Sequence, residues 1–351
     1  MEDRNSIRLK QLPSSFIEIS EINGGFIMNI TTLETVISLW LESKKQTVKR
    51  STIGKYKDVA GRFCSSLNKA EAEEISDFSV NTYIDNLQKV LSLVSVKSAI
   101  TVIKEILNFA SENHLFEEPF NCTFPKISTV ISETQTLTSA ECLKLNRTLM
   151  ESGKMPDICI LIALNMGLRI GEICALRWEN VDFARKSISI NGTAIRIKND
   201  LLSGENKTKL IINTPKTLSS KREVPVPDFI LKLLKTHKPN DSKIFILNGK
   251  TDRIPEPRNL QKQFKTRCKK ILGYSINFHA LRHTFATLSI SNGTDPKTVS
   301  KLLGHSSINT TLNLYRSVSF DDKSNAISAL EKAIGPRKKA TRKRKTEPSE
   351  K

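Results

Sequence analysis

His279-Ala280-Leu281-Arg282, then Leu302-Leu303-Gly304-His305-Ser306-Ser307, then Tyr315 ten residues past His305: these lie in the last quarter of a 351-residue chain. Their surroundings predict three short helices. The first runs from Phe278 to Asn292 and ends at Asn292-Gly293. The second is capped by Asp295-Pro296 and reaches Leu303 before Gly304. The third is capped by Ser306 or Ser307 and carries Leu312, Leu314 and Tyr315. His279 and Arg282 are three residues apart, so a helix presents both on one face.

Two histidines, an arginine and a tyrosine suit attack on a phosphodiester. Such a bond resists nucleophiles because its charge repels them. A catalyst must neutralise the non-bridging oxygens, activate a nucleophile and protonate the leaving oxygen. Arginine serves the first need, since its planar fork bonds phosphate oxygens in two places. A positioned histidine can accept the tyrosine proton, and His305 can donate to a phosphate oxygen. Tyr315 is the candidate nucleophile, whose ester would store the energy of the broken strand.

The missing parts lie upstream. Ile158 to Leu164 is apolar enough for a buried helix, and Gly167 ends it. Leu168-Arg169-Ile170-Gly171-Glu172 follows and places Arg169 at the start of the next helix, as a second guanidinium for the phosphate. Strands are then expected over Ser187–Ile190, Leu210–Thr214 and Glu223–Val226. A hairpin between the last two presents Lys216 near its tip, as a candidate acid toward a departing 5′-hydroxyl. Lys207, Lys209 and Lys221 lie close by.

Charge points the same way. Lys and Arg number 55 against 36 Asp and Glu, a formal net charge of +19. A polyanion, nucleic acid above all, offsets such self-repulsion. The six cysteines show no C-x-x-C pair and no zinc spacing, which indicates reduced thiols and no metal or disulfide framework. No P-loop and no carboxylate cluster suited to two Mg²⁺ ions is present. The apolar run Ile158–Met166 is too short to span a bilayer, and no signal sequence opens the chain. A cytoplasmic protein is expected, one that would meet DNA directly if its source is bacterial.

The organisation follows from periodicity. Residues 1–30 form a leader in which Phe16–Ile22 and Phe26–Ile30 allow short strands. Residues 31–117 carry four helices: one on Leu33, Val36, Ile37 and Trp40, a second from Ser51, then Val80–Gln88 and Val96–Asn113. Lys44, Lys45, Lys49 and Arg50 stand at the entrance of the second helix, with no acid between Ser43 and Lys57, as candidate phosphate contacts. Residues 118–135, with Pro119 and Pro125, form a linker. A second domain spans 136–334 and opens on the capping box Thr138-Ser139-Ala140-Glu141. Within it Lys262, Lys265 and Lys269 share a helix face with Arg258, a second DNA-tracking stripe. Residues 335–351 are a basic tail, suited to an anion or to a localisation signal.

Taken together these motifs resemble the tyrosine recombinase (phage integrase) family. Gly167 to Glu172 with Ala175-Leu176-Arg177-Trp178 resembles its first arginine box. His279 to Thr284 resembles its His-x-x-Arg box, and Leu302 to Tyr315 its third box and nucleophile. Pro215-Lys216-Thr217 through Val226 resembles its catalytic-lysine hairpin. The resemblance covers about residues 135–334, and the basic helical segment is similar to the family's core-binding domain. It implies a mainly α fold with a small antiparallel β-sheet (α+β), arranged as a two-domain DNA clamp. It implies a catalytic set of Arg169, Lys216, His279, Arg282, His305 and Tyr315, with Glu172 as support, and strand exchange through a 3′-phosphotyrosine. No cofactor, metal or ATP is implied. The implied partners are double-stranded DNA attachment sites and three further copies of the chain, with the helix Ser324–Ile334 exchanged in trans. An accessory DNA-bending or excision factor is a further partner of such systems. Two readings compete with an integrase of a prophage or mobile element: a DNA-binding protein that does not cut, and a type IB topoisomerase.

Overall fold

A computed structural model describes residues 18–22, 25–29, 32–67, 75–113, 115, 122–128, 135–198, 208–213, 221–248, 253–305 and 307–314. The chain divides into two compact units, Met1–Glu133 with Arg196–Ile211, and Thr134–Ile195 with Ile212–Lys351. The described residues are mostly helical, with small antiparallel sheets.

In the first unit, β1 (Glu18–Ile22) and β2 (Gly25–Asn29) pair antiparallel, Glu18 opposite Asn29 and Ile22 opposite Gly25. Four helices follow: α1 (Leu33–Lys45), α2 (Arg50–Ser66), α3 (Asp77–Val90) and α4 (Leu93–Glu112). Their starts are written locally. Thr32, Ser76 and Ser92 each accept a hydrogen bond from the backbone N–H three residues on, satisfying donors a helix leaves free. Their apolar stripes meet in one core of Leu33, Val36, Trp40, Phe63, Val80, Ile84, Ile103 and Ile106, all fully buried. Tyr56 packs on Trp40 and Tyr83 on Phe63, with ring centroids 5.0 and 5.4 Å apart. The described part of the expected linker, 122–128, is not a free tether. Asp77 accepts from the Thr123 N–H at 2.8 Å, and Cys122, Phe124 and Ile127 pack on the helical core.

The second unit is built on α6 (Met155–Met166), whose residues from Asp157 to Leu164 are all buried. A helix apolar on every side must be covered on every side. It is packed by α5 (Ser139–Ser152), α8 (Asp228–His237), α9 (Pro257–Leu272) and α10 (His279–Ser291), with α7 (Ile170–Ala175) following directly. The Thr138–Glu141 capping box forms as expected: Thr138 N–H donates to Glu141 at 2.8 Å, and Glu141 N–H to Thr138 at 3.3 Å. A three-stranded antiparallel sheet of β3 (Val181–Asp182), β4 (Ser187–Ile190) and β7 (Arg222–Pro225) lies in the order β3-β4-β7. The strands β5 (Thr193–Lys198) and β6 (Thr208–Asn213) pair as a separate ribbon, of which Arg196–Lys198 and Thr208–Ile211 are counted with the first unit. Two short helices complete the unit, α11 (Pro296–Leu303) and α12 (Ile308–Leu314).

This pairing corrects the expected hairpin. Among the described residues β6 pairs with β5, which the sequence reading omits, and β7 pairs with β4. Ile188 and Val224, opposite one another, are both buried, and that apolar match recruits β7 to β4. No helix among the described residues is long and apolar enough to cross a membrane, and all six cysteines are free.

Candidate active site

Two glycines set the geometry. Gly167 ends α6 at φ 67° and Gly304 ends α11 at φ 65°, the left-handed region that favours glycine. Space forbids a side chain at Gly167 as well: a Cβ would lie 2.5 Å from Leu303 and 2.6 Å from Phe285. The ends of the two helices therefore touch. Carbonyls of a last helical turn lack helical partners and carry the negative end of the dipole. Here they meet arginines.

Arg282, on the first turn of α10, is 2% exposed. Its Nη1 donates to the Gly167 carbonyl at 2.8 Å and its Nη2 to the Leu303 carbonyl at 2.7 Å. Arg169, the N-cap of α7, reaches the same place from the other side. Its Nη1 lies 3.4 Å from the Leu303 carbonyl oxygen and its Nη2 3.5 Å from that of Gly304. Its side chain stays 40% exposed. Glu172, one turn on, accepts from the Arg169 N–H at 2.9 Å and from its Nη1 at 2.8 Å. Burial acting alone would raise the Glu172 carboxyl. Bonds and charge from Arg222 and Arg169 outweigh it and hold the group below the usual carboxylate range.

Three histidines border these cations. His279 opens α10 and meets His283 edge to face, with ring centroids 4.6 Å apart. The ring Nδ1 of His283 is buried without a partner among the described residues. His305 follows Gly304, and its Nδ1 lies 2.8 Å from the hydroxyl of the fully buried Thr311. If Thr311 donates, the His305 proton sits on Nε2. Lost hydration, then the charges of His283, Arg282 and Arg169, push His279 down to about 4. Lost hydration, then Arg282 and Arg169, do the same to His305. Both rings are neutral at pH 7. Burial and then the Arg169 charge lower Arg282 to about 9, which leaves it cationic. Three guanidiniums against one carboxylate make a site short of negative charge, which an anion would supply.

Arg169, Glu172, His279, Arg282 and His305 are thus brought together from positions up to 136 residues apart in the sequence. Lys216, Tyr315 and the helix expected at Ser324–Ile334 lie outside the described residues. Sequence reasoning missed Arg222, whose fork binds Glu172, and Thr311 behind His305. Neither carries a local spacing signal.

The candidate DNA-contacting residues divide. Lys262, Lys265 and Lys269 are exposed on α9, away from its buried face of Leu260, Phe264 and Cys268. Lys49 is the exposed N-cap of α2 and Arg50 its first residue, with no acid in that first turn. The expectation that no acid attends this run is corrected for two residues. Lys44 pairs with Glu105 of α4 at 2.8 Å, and Lys45 pairs with Glu42 one turn earlier.

Comparison with known proteins adds to this geometry. The sequence profile described as the phage integrase family matches residues 135–322, more than half of the chain. The chain belongs to the phage integrase family. It is accordingly a tyrosine-type site-specific DNA recombinase, an enzyme that cleaves and rejoins DNA. A tyrosine recombinase XerC-like protein of Caldanaerobacter subterraneus subsp. tengcongensis is 29% identical over 326 residues, 85% of this chain and 82% of that protein. The transposase from transposon Tn916 of Enterococcus faecalis is 29% identical over 178 residues, 46% of this chain and 42% of that protein. Among solved structures, the Tn1549 transposon integrase in complex with a circular intermediate DNA matches with a TM-score of 0.67 at 20% identity. That alignment covers 86% of this chain and 99% of the other, and it carries the fold.

Proposed function

We propose that this recombinase is the integrase of a prophage or mobile element, with Tyr315 as its nucleophile. The observation that carries the reading is the shared Leu303 carbonyl: it holds Arg282 from one arginine box and Arg169 from the other, one residue before Gly304-His305. The two guanidiniums clamp the non-bridging oxygens of the scissile phosphate. The Tyr315 oxygen attacks phosphorus, its proton passing to His279, which is neutral and able to accept it. The bond from phosphorus to the 5′-oxygen breaks, and Lys216 protonates that departing oxygen to give the 5′-hydroxyl. His305 donates from Nε2 to a phosphate oxygen. Glu172 holds Arg169 without touching DNA. The product is a 3′-phosphotyrosyl ester and a free 5′-hydroxyl, and reversal on a second strand rejoins the DNA.

The tyrosine census supports Tyr315. The chain has four tyrosines. Tyr56 and Tyr83 pack in the helical core of the first unit. Tyr274 donates to Glu141 at 2.6 Å, a bond that pushes its phenol up to about 12.

The remaining assignments extend the same reading. Residues 31–117 bind core DNA, 118–135 join them to a catalytic domain over 136–334, and Lys49, Arg50, Lys262, Lys265 and Lys269 track phosphates. The substrates are double-stranded attachment sites in a bacterial cytoplasm. Four copies assemble on two sites, the helix Ser324–Ile334 passing to a neighbour, and an accessory bending or excision factor sets direction. A suicide duplex carrying the attachment site tests the chemistry. Wild type becomes covalently linked to the 3′ end, whereas Tyr315→Phe does not. Linkage surviving in that variant would remove Tyr315 from the role.

A further inference from the structure

Arg222 is the guanidinium of the cluster whose three nitrogens are all held by described protein groups, which leaves it no free edge for a substrate. It opens β7, six residues beyond Lys216, and its side chain is 7% exposed. All three nitrogens are committed. Nε donates to the Leu302 carbonyl at 2.7 Å, Nη1 to Glu172 Oε1 at 3.1 Å and Nη2 to Glu172 Oε2 at 2.8 Å. It also lies under the turn before His305, where a Cβ on Gly304 would come within 3.0 Å of its Nη1.

Glu172 is therefore shared. Oε1 receives Nη1 of both Arg169 and Arg222, and Oε2 receives the Arg169 N–H and Arg222 Nη2. A carboxylate has one charge to give. The paired fork of the buried Arg222 takes most of it, because parallel bonds in a dry setting hold best. Arg169 keeps one side-chain bond to Glu172 and two long approaches to carbonyls, with 40% of its side chain open to solvent. Without Arg222, the same carboxylate would have Arg169 as its sole guanidinium and would draw it inward.

We infer that Arg222 is a positioning residue for strand cleavage: by engaging Glu172 in a bidentate pair, it leaves the Arg169 guanidinium available to the scissile phosphate. The same side chain, through Leu302, ties the strand that follows Lys216 to the turn that carries His305. This rests on Arg169 being a phosphate-binding arginine.

The test is single-turnover cleavage of a suicide duplex by the full chain, with duplex affinity and thermal melting measured alongside. Arg222→Met leaves Glu172 to Arg169, and cleavage falls about 100-fold, the order expected when a catalytic group is displaced by an ångström, while affinity stays within about twofold. Arg222→Lys, which keeps charge but loses the fork, falls by about tenfold. The discriminating variant is Arg222→Met with Glu172→Gln. An amide cannot capture Arg169 by charge, so cleavage per folded molecule recovers by about tenfold over Arg222→Met. A purely structural strut predicts no recovery per folded molecule, and that result overturns the inference. Where Arg222→Met does not fold, Arg222→Lys decides: wild-type cleavage by the folded lysine variant overturns it too. Arg169→Ala separates the two readings. Normal cleavage by that variant removes the phosphate-clamp premise itself, whereas lost cleavage there with no recovery in the double variant refutes Arg222 alone.

Discussion

At the scale of the residue, the site is a set of guanidiniums anchored to backbone so that their free edges are fixed in advance. Pre-organised donors of this kind are worth about 2.7–4 kcal/mol each in a transition state. Arg282→Ala is expected to keep DNA binding and to lose cleavage by about 10²–10³-fold, read by single-turnover kinetics beside a binding isotherm. Glu172 tests the electrostatics from the other side. It is buried between two cations, so Glu172→Ala leaves Arg222 charged and unpaired. A loss of about 3–5 kcal/mol in unfolding free energy is expected, measured by urea denaturation.

The histidines give a pH dependence with a definite sign. His279 and His305 are lowered from an ordinary 6.5 to about 4. The unfolded chain therefore takes up protons first as pH falls. Their contribution to stability is whole above about pH 6.5, declines below it and is gone below about pH 4. His279 is exposed, so solvent screening makes its share the smaller one. The melting temperature should fall over this window, and less steeply in His305→Gln; an unchanged slope in that variant would exclude His305 as a source. A bound phosphate offsets the part of the depression that comes from the cations and leaves the part that comes from lost hydration.

At the scale of the element, the legible parts were those whose cause is local. The helices that end at Gly167 and Gly304 are bounded by glycines, by a proline in the first turn of each and, for α11, by the Asp295 cap, all acting within four residues. Gly167 and Gly304 could be read as helix ends, yet not as the contact that joins two arginine boxes. That contact depends on Leu303 and Phe285 closing on Gly167. Gly167→Ala should therefore cost more than the strain of a left-handed alanine, and a loss in melting temperature exceeding that of Gly153→Ala, which has open space at φ 58°, checks it. Strand pairing was less legible. The run Ile195-Arg196-Ile197-Lys198 alternates apolar and basic residues, a strand signal the sequence expectation passed over, and proximity along the chain then suggested β6 as the partner of β7. Arg222 escaped for a related reason. It stands beside Lys221 in a basic stretch, while its carboxylate is fifty residues away. Lys44 looked unaccompanied because Glu105 comes from another helix.

At the scale of the molecule, the charge of +19 and the exposed lysines of α9 bear on affinity more than on chemistry. Each phosphate contact lowers the slope of log K against log salt by about 0.9. Replacing Lys262, Lys265 and Lys269 together by alanine should make that slope shallower by up to about three and leave the cleavage rate at saturation unchanged. The proposed roles of the two arginines in cleavage and of the lysines in affinity are thereby separable in one preparation.

The most direct measurement is the site of the covalent bond. Wild-type protein is trapped on a suicide duplex, digested with trypsin and nuclease, and its nucleotide-bearing peptide sequenced by mass spectrometry. The adduct is expected on Tyr315, in the peptide that follows Lys301 and ends at Arg316. An adduct on Tyr274, on either core tyrosine or on a residue of another type would contradict the account, as would strand cleavage with no adduct.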